Sequence, residues 1–159
     1  MTYFALSTNY GSDGYWPQVS QTIGNGFSQT PAKASINIHC NSLFPCDVSY
    51  KTLIVSIYSD ANYTKQVAGS FLLTGYFGDP MYQIILAGSS EDVIFKFPKL
   101  PDTFIFNPLY YYKITFQFNI LGSTIQWGGS IQDSYPNGES IDYIDNLNGH
   151  DLYFKLSVE

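Results

Sequence analysis

The stretch Tyr110-Tyr111-Tyr112-Lys113-Ile114-Thr115-Phe116-Gln117-Phe118-Asn119-Ile120 decides the fold. Its even positions are Tyr, Tyr, Ile, Phe, Phe and Ile, and its odd positions are Tyr, Lys, Thr, Gln and Asn. That alternation is the pattern of a β-strand with one buried and one wetter face. A helix would smear these apolar residues around its circumference. The even side chains are therefore expected in a core. The odd face, with Tyr111, Lys113, Thr115 and Gln117, is the side that could meet a ligand.

Working outward, Gly122-Ser123 turns the chain into residues 124–131, where Ile125, Trp127 and Ile131 share a face. Core packing is the expected role of Trp127. Residues 152–159 alternate again, as do 34–40, with Ser35, Asn37 and His39 outward. In 51–59, Leu53, Val55 and Ile57 form a core face while Ile54 and Tyr58 partly cover the other. Shorter strands are expected at 3–6, 67–76, 81–87, 92–97 and 103–106, and a strand at 18–29 broken at Gly24-Asn25-Gly26. Residues 7–17 look like a Gly/Ser/Asn/Asp loop, 41–49 like a loop around Pro45, and 132–151 like the longest polar loop. No window has helical periodicity. Roughly ten short strands with long end loops predict one domain, residues 1–159, built as a two-sheet antiparallel β-sandwich of jelly-roll type.

Composition agrees. Aromatic residues make up 18% of the chain, and thirteen Gly and eight Pro supply turns. Net charge is −6, and all seven basic residues are Lys. Without Arg or a basic cluster the chain lacks the forked donor that reads phosphate and guanine, so nucleic acid is not an expected partner. Binding to an anionic membrane surface is disfavoured for the same reason, and no apolar run approaches the roughly 18 residues of a transmembrane helix. The first residues, Met1 to Leu6, lack the basic n-region of a signal peptide, which leaves a removed leader or a cytosolic start. Cys40 and Cys46, flanking a short loop, and the sequon Asn62-Tyr63-Thr64 favour an extracellular or cell-surface location.

The C-terminal third has a familiar order: Leu109-Tyr110-Tyr111-Tyr112-Lys113-Ile114-Thr115, then Gln126-Trp127-Gly128, Tyr135-Pro136-Asn137-Gly138-Glu139, and His150-Asp151-Leu152-Tyr153-Phe154. It resembles bacterial extracellular jelly-roll accessory modules, which are related in shape to carbohydrate-binding modules. Ile23-Gly24-Asn25-Gly26-Phe27-Ser28-Gln29 is similar to their early strand. The resemblance implies a noncatalytic accessory domain.

Three groups of residues carry candidate chemistry. Tyr15 and Trp16 sit among Gly, Ser, Asp and Pro, where a flat ring can stack on a sugar while polar groups meet its hydroxyls. Gln117 and Gln126, on outward faces of expected neighbouring strands, could add amide contacts, and Tyr111 lies on the same wet face as Gln117. Ordinary solvated strand faces are the alternative. Asp133, Asp142, Asp145 and Asp151, with Glu139 and nearby Asn residues, could give Ca²⁺ about six to eight oxygens, although the spacing is not that of an EF-hand. An exposed polar loop with Asx-turns is the alternative. Cys40 and Cys46 could form a disulfide worth roughly 2 kcal/mol. His39 and His150 lack zinc-site spacing, and no nucleophile motif such as GxSxG occurs.

The expected function is a noncatalytic carbohydrate-binding or adhesion module, with a glycan or other surface ligand as partner and no membrane insertion. The alternative is a structural sandwich that self-associates into a fibre or coat.

Overall fold

The computed structural model describes residues 2–11, 14–67, 71–74, 82–97, 106–118, 125–130, 140–142 and 151–158. Among these it contains strands and no helix. In chain order they are β1 (Thr2–Ala5), β2 (Ser7–Gly11), β3 (Gly14–Gly24), β4 (Lys33–Cys40) and β5 (Cys46–Asp47). There follow β6 (Lys51–Tyr58), β7 (Phe71–Thr74), β8 (Ile84–Ile85), β9 (Ser90–Lys96) and β10 (Tyr111–Phe118). The last are β11 (Ile125–Ser130), β12 (Ser140–Asp142), β13 (Asp151–Leu152) and β14 (Phe154–Ser157).

All pairings are antiparallel. The first sheet holds β1, β11, β4 and β14, with β13 on β11 and β9 on β4. The second runs β12-β3-β10-β6-β7, with β2 also on β3. β5 and β8 make a separate two-stranded sheet.

The alternation in 110–120 is realised in β10. Tyr112, Ile114, Phe116 and Phe118 are all buried, as are Leu53, Val55 and Ile57 on β6. From the first sheet come Ala34, Ile36, Ile38, Val93, Phe95, Ile125 and Trp127, and all of these side chains join one apolar cluster. Phe95 of β9 meets Phe116 and Phe118 of β10 edge-on at 5.0 and 5.6 Å, so the two sheets share this core. In the same cluster, Phe106 stacks on Tyr112 at 4.0 Å, and the Tyr112 hydroxyl accepts a bond from the Asn107 N–H at 2.6 Å.

One polar link also crosses between sheets. Gln21 on β3 is buried; its Nε2 donates to the Asp151 carboxylate at 3.0 Å and its Oε1 accepts from Leu152 N at 3.1 Å. Buried amides and carboxylates persist only when paired in this way.

Trp127 is the hub of the first sheet. Its indole is fully buried, Phe4 stacks beside it at 4.6 Å, and its N–H finds no acceptor among the described residues. Gly129, two residues on, is required by this ring: a Cβ there would overlap Trp127 Cζ3 and come 2.5 Å from the Asp151 carbonyl. β11 and β4 pair only from Ile125↔Cys40 to Trp127↔Ile38 and then part. Into the fork runs the chain of β13, paired Gly129↔Leu152; it reverses at Tyr153, whose N–H bonds Gly128 O at 2.8 Å, and returns as β14 along β4.

Several sequence expectations change. The described parts of 7–17 are strand and not loop: β2 pairs with the start of β3, with Tyr10↔Tyr15 and Gly11↔Gly14, while residues 12–13 lie outside the described residues. Thr8, Tyr10, Tyr15 and Trp16 are strand formers, and their preference wins over the Gly, Ser and Asn between them. The 132–151 segment is likewise not all loop, since it contains β12 and ends in β13. Of the expected strand 81–87, the described residues 82–87 keep only β8, and 81 and 103–105 lie outside the described residues. Cys40 and Cys46 are joined by a disulfide, with Cα atoms 5.8 Å apart. Such a bond belongs to a non-reducing environment. No helix of the described residues is long and apolar enough to cross a membrane.

Candidate functional site

Each sheet has one face turned away from the shared core, and the two faces differ. On the first sheet the outward positions are Tyr3 of β1, Gln126 of β11, Asn37 and His39 of β4, Ser90 and Asp92 of β9, and Lys155 of β14. Register brings them together: Asn37↔Asp92, His39↔Ser90 and Gln126↔His39 are partners. The Tyr3 hydroxyl donates to Asn37 Oδ1 at 2.7 Å, and Asn37 Nδ2 donates to Asp92 Oδ1 at 2.9 Å. Asp92 Oδ2 lies 3.6 Å from Lys155 Nζ. To reach Asn37, Tyr3 must span β11 at its register partner Gly128, which has no side chain to obstruct it.

Beside this row, the Tyr3 ring lies 4.9 Å from the His39 imidazole, and His39 Nδ1 is 2.8 Å from Ser90 Oγ. Tyr3, Asn37, His39 and Gln126 are half-buried, whereas Ser90, Asp92 and Lys155 are exposed. The face thus offers a phenol, two amides, an imidazole, a carboxylate and an ammonium on a sheet, all with at least partial access to solvent. Each polar group except Gln126 is held in place by a bond to a neighbour among the described residues. Fixed donors and acceptors beside a flat ring suit a ligand rich in hydroxyl groups.

The second sheet's outward face is polar and more covered: its short side chains are buried, while Gln18, Lys113 and Gln117 are half-buried. Ser20 hydrogen-bonds Thr115 at 2.7 Å, and both are below a tenth exposed, as are Thr22, Thr52 and Ser56. Gln117 Nε2 donates to Gln18 Oε1 at 3.2 Å. Lys113 Nζ sits 5.6 Å above the Tyr58 ring. At one end Tyr63 packs edge-on against Tyr58 and Tyr111, at 5.4 and 6.0 Å, and its hydroxyl accepts from Gly24 N at 2.8 Å. Tyr63 takes a positive φ of 55°, a costly conformation for a bulky side chain. Its turn is fixed by Asp60, whose carboxylate accepts from Thr64 N, Thr64 Oγ1 and Lys65 N. These bonds, chiefly that from the Thr64 hydroxyl, hold the Asp60 carboxyl below its ordinary pKa.

The residues singled out from sequence are dispersed. Tyr15 and Trp16 lie on β3, opposite Tyr10 and Asn9 rather than in a loop. Tyr111 is half-buried under Tyr63, and Gln117 is bonded to Gln18. Gln117 and Gln126 are not on neighbouring strands, because β10 belongs to the second sheet and β11 to the first. Asp142 is on β12 opposite Val19, and Asp151 is buried against Gln21. Asp133 and Asp145 lie outside the described residues. Among the described residues no three His, Cys, Asp or Glu side chains gather as a metal site. Sequence reasoning placed Asn37 and His39 outward without giving them a ligand role, and missed Tyr3 and Asp92.

The fold and this face define an all-β antiparallel protein with an open polar sheet surface. Comparison of the chain with known protein families, curated proteins and solved structures finds no match.

Proposed function

We propose that the protein is a noncatalytic carbohydrate-binding module of a secreted or cell-surface protein, and that its two sheets pack as a jelly-roll-like β-sandwich. Supporting the architecture, the chain passes repeatedly between sheets, from β3 to β4, β4 to β6, β9 to β10 and β10 to β11. The observation that carries the function is the row Tyr3–Asn37–Asp92 on an exposed sheet face. His39 and Ser90 are a base and a hydroxyl within reach of one another. They are register partners on an open sheet, where a cross-strand bond is the simpler account, and binding is the reading we adopt. Calcium at Asp133, Asp142, Asp145 and Asp151 has only its sequence clustering in support; a melting temperature indifferent to Ca²⁺ and EDTA would remove it.

The test is a glycan array followed by affinity electrophoresis. Asn37→Ala and Tyr3→Ala should weaken glycan binding by at least about tenfold, the loss expected on truncating a central contact residue of a complex, with melting temperature little changed. Gln117→Ala on the other sheet should bind as the wild type does. A chain retained by no glycan, or an Asn37→Ala variant with undiminished binding, overturns the proposal.

A further inference from the structure

Some of the largest exposed apolar side chains belong to one small structure. β5 and β8 pair with Cys46↔Ile85 and Asp47↔Ile84. Cys46, Ile85 and the adjacent Val48 are buried, so the intervening positions face outward. There stand Ile84, Leu86 and Tyr82, the last two 65% and 80% exposed, and the disulfide loop joined to the same frame carries Leu43 and Phe44 at 92% and 75%. The frame beneath them is tied down by the Cys40–Cys46 bond, by Gly88 N to Cys40 O at 2.9 Å and by Val48 N to Gln83 O at 3.0 Å.

We propose that this apolar face is the contact through which two copies of the chain associate. The five residues expose on the order of 800 Å² together, about what one partner contributes to a stable interface. A two-fold contact sets the face on itself, apolar against apolar, and Asp47, the one charged side chain among its outward strand positions, already accepts a bond from Ser49 N at 2.9 Å. The nearest lysine in sequence, Lys51, is buried with its ammonium on Val48 O, so it offers no cation to an acidic partner or an anionic lipid. The stapled loop loses little freedom on docking. Gln83, between Tyr82 and Ile84, bonds Asp92 O at 3.0 Å, which joins this structure to the strand carrying the polar row. On the proposed glycan-binding reading, each copy of a dimer would bring its own row to a multivalent surface.

Sedimentation velocity on the 159-residue chain tests this. The wild type should dimerise with a dissociation constant on the order of 1 μM. Leu86→Asp and Phe44→Ser should each weaken it by about tenfold or more, Leu86→Met should keep it, and thermal melting of monomeric variants should match the wild type. A wild type that stays monomeric overturns the proposal, including one that instead pellets with phosphatidylcholine vesicles. So does a dimer undiminished in both disruptive variants.

Discussion

The two outward sheet faces are built from similar residues and differ in how far solvent reaches them. Both carry Ser, an amide, a lysine and a tyrosine. On the first sheet Asn37, His39 and Asp92 keep solvent access. On the second, Ser20, Thr22, Thr52 and Thr115 are nearly sealed, and Tyr63 folds down over the end beside Tyr58 and Tyr111. Alternation therefore tells which side chains share a face, while cover from elsewhere in the chain decides whether that face is available.

The strongest way to break this contrast is to loosen the link between the sheets. Gln21→Ala removes the amide that serves both Asp151 and Leu152 N, and should cost about 3 kcal/mol, the range for hydrogen bonds to a buried charge plus lost packing. Chemical denaturation would measure it, and a loss below a few tenths would show that the link is dispensable. A smaller effect is expected from Tyr63→Ala, which removes two ring contacts and the acceptor for Gly24 N. It should cost about 1–2 kcal/mol and raise nitration of Tyr58 and Tyr111, mapped by mass spectrometry, while Tyr3 is unaffected. Unchanged nitration would mean that Tyr63 is not the cover.

The smallest effect concerns Lys51. Burial pushes its ammonium below the ordinary value of 10.5, and the Asp47 carboxylate only partly offsets this. The folded state thus holds the proton less tightly than the unfolded chain. The resulting penalty is present at neutral pH and fades as pH rises toward 10.5. Lys51→Met should melt higher than the wild type near pH 7, with the gap narrowing in alkali; a gap that widens would reverse the sign of this account.

Much of the fold was legible in the sequence because its signal is local. The Tyr110–Ile120 alternation located Tyr112, Ile114, Phe116 and Phe118 in the core, and the parity of Trp127 with Ile125 did the same for the indole. The disulfide was legible because its cysteines are six residues apart. The β2–β3 pairing was not, because Gly, Ser and Asn there outweighed the strand formers in a local reading. Gln117 and Gln126 were expected side by side since consecutive strands are usually neighbours, yet the chain changes sheet between them. The polar row draws on residues 3, 37, 92 and 155, whose meeting depends on register across four strands. No local pattern encodes that.

The fork between β11 and β4 has a consequence for the order of events during synthesis. Both of its arms leave the ribosome before residues 151–157, which fill it. Asp151, the partner of Gln21, arrives in the same segment. Until then a nascent chain holds an open seam beside Trp127 and an amide on β3 without its partner. The final closure joins contacts more than a hundred residues apart, the kind of step that makes β-rich chains slow to fold and sticky while they wait.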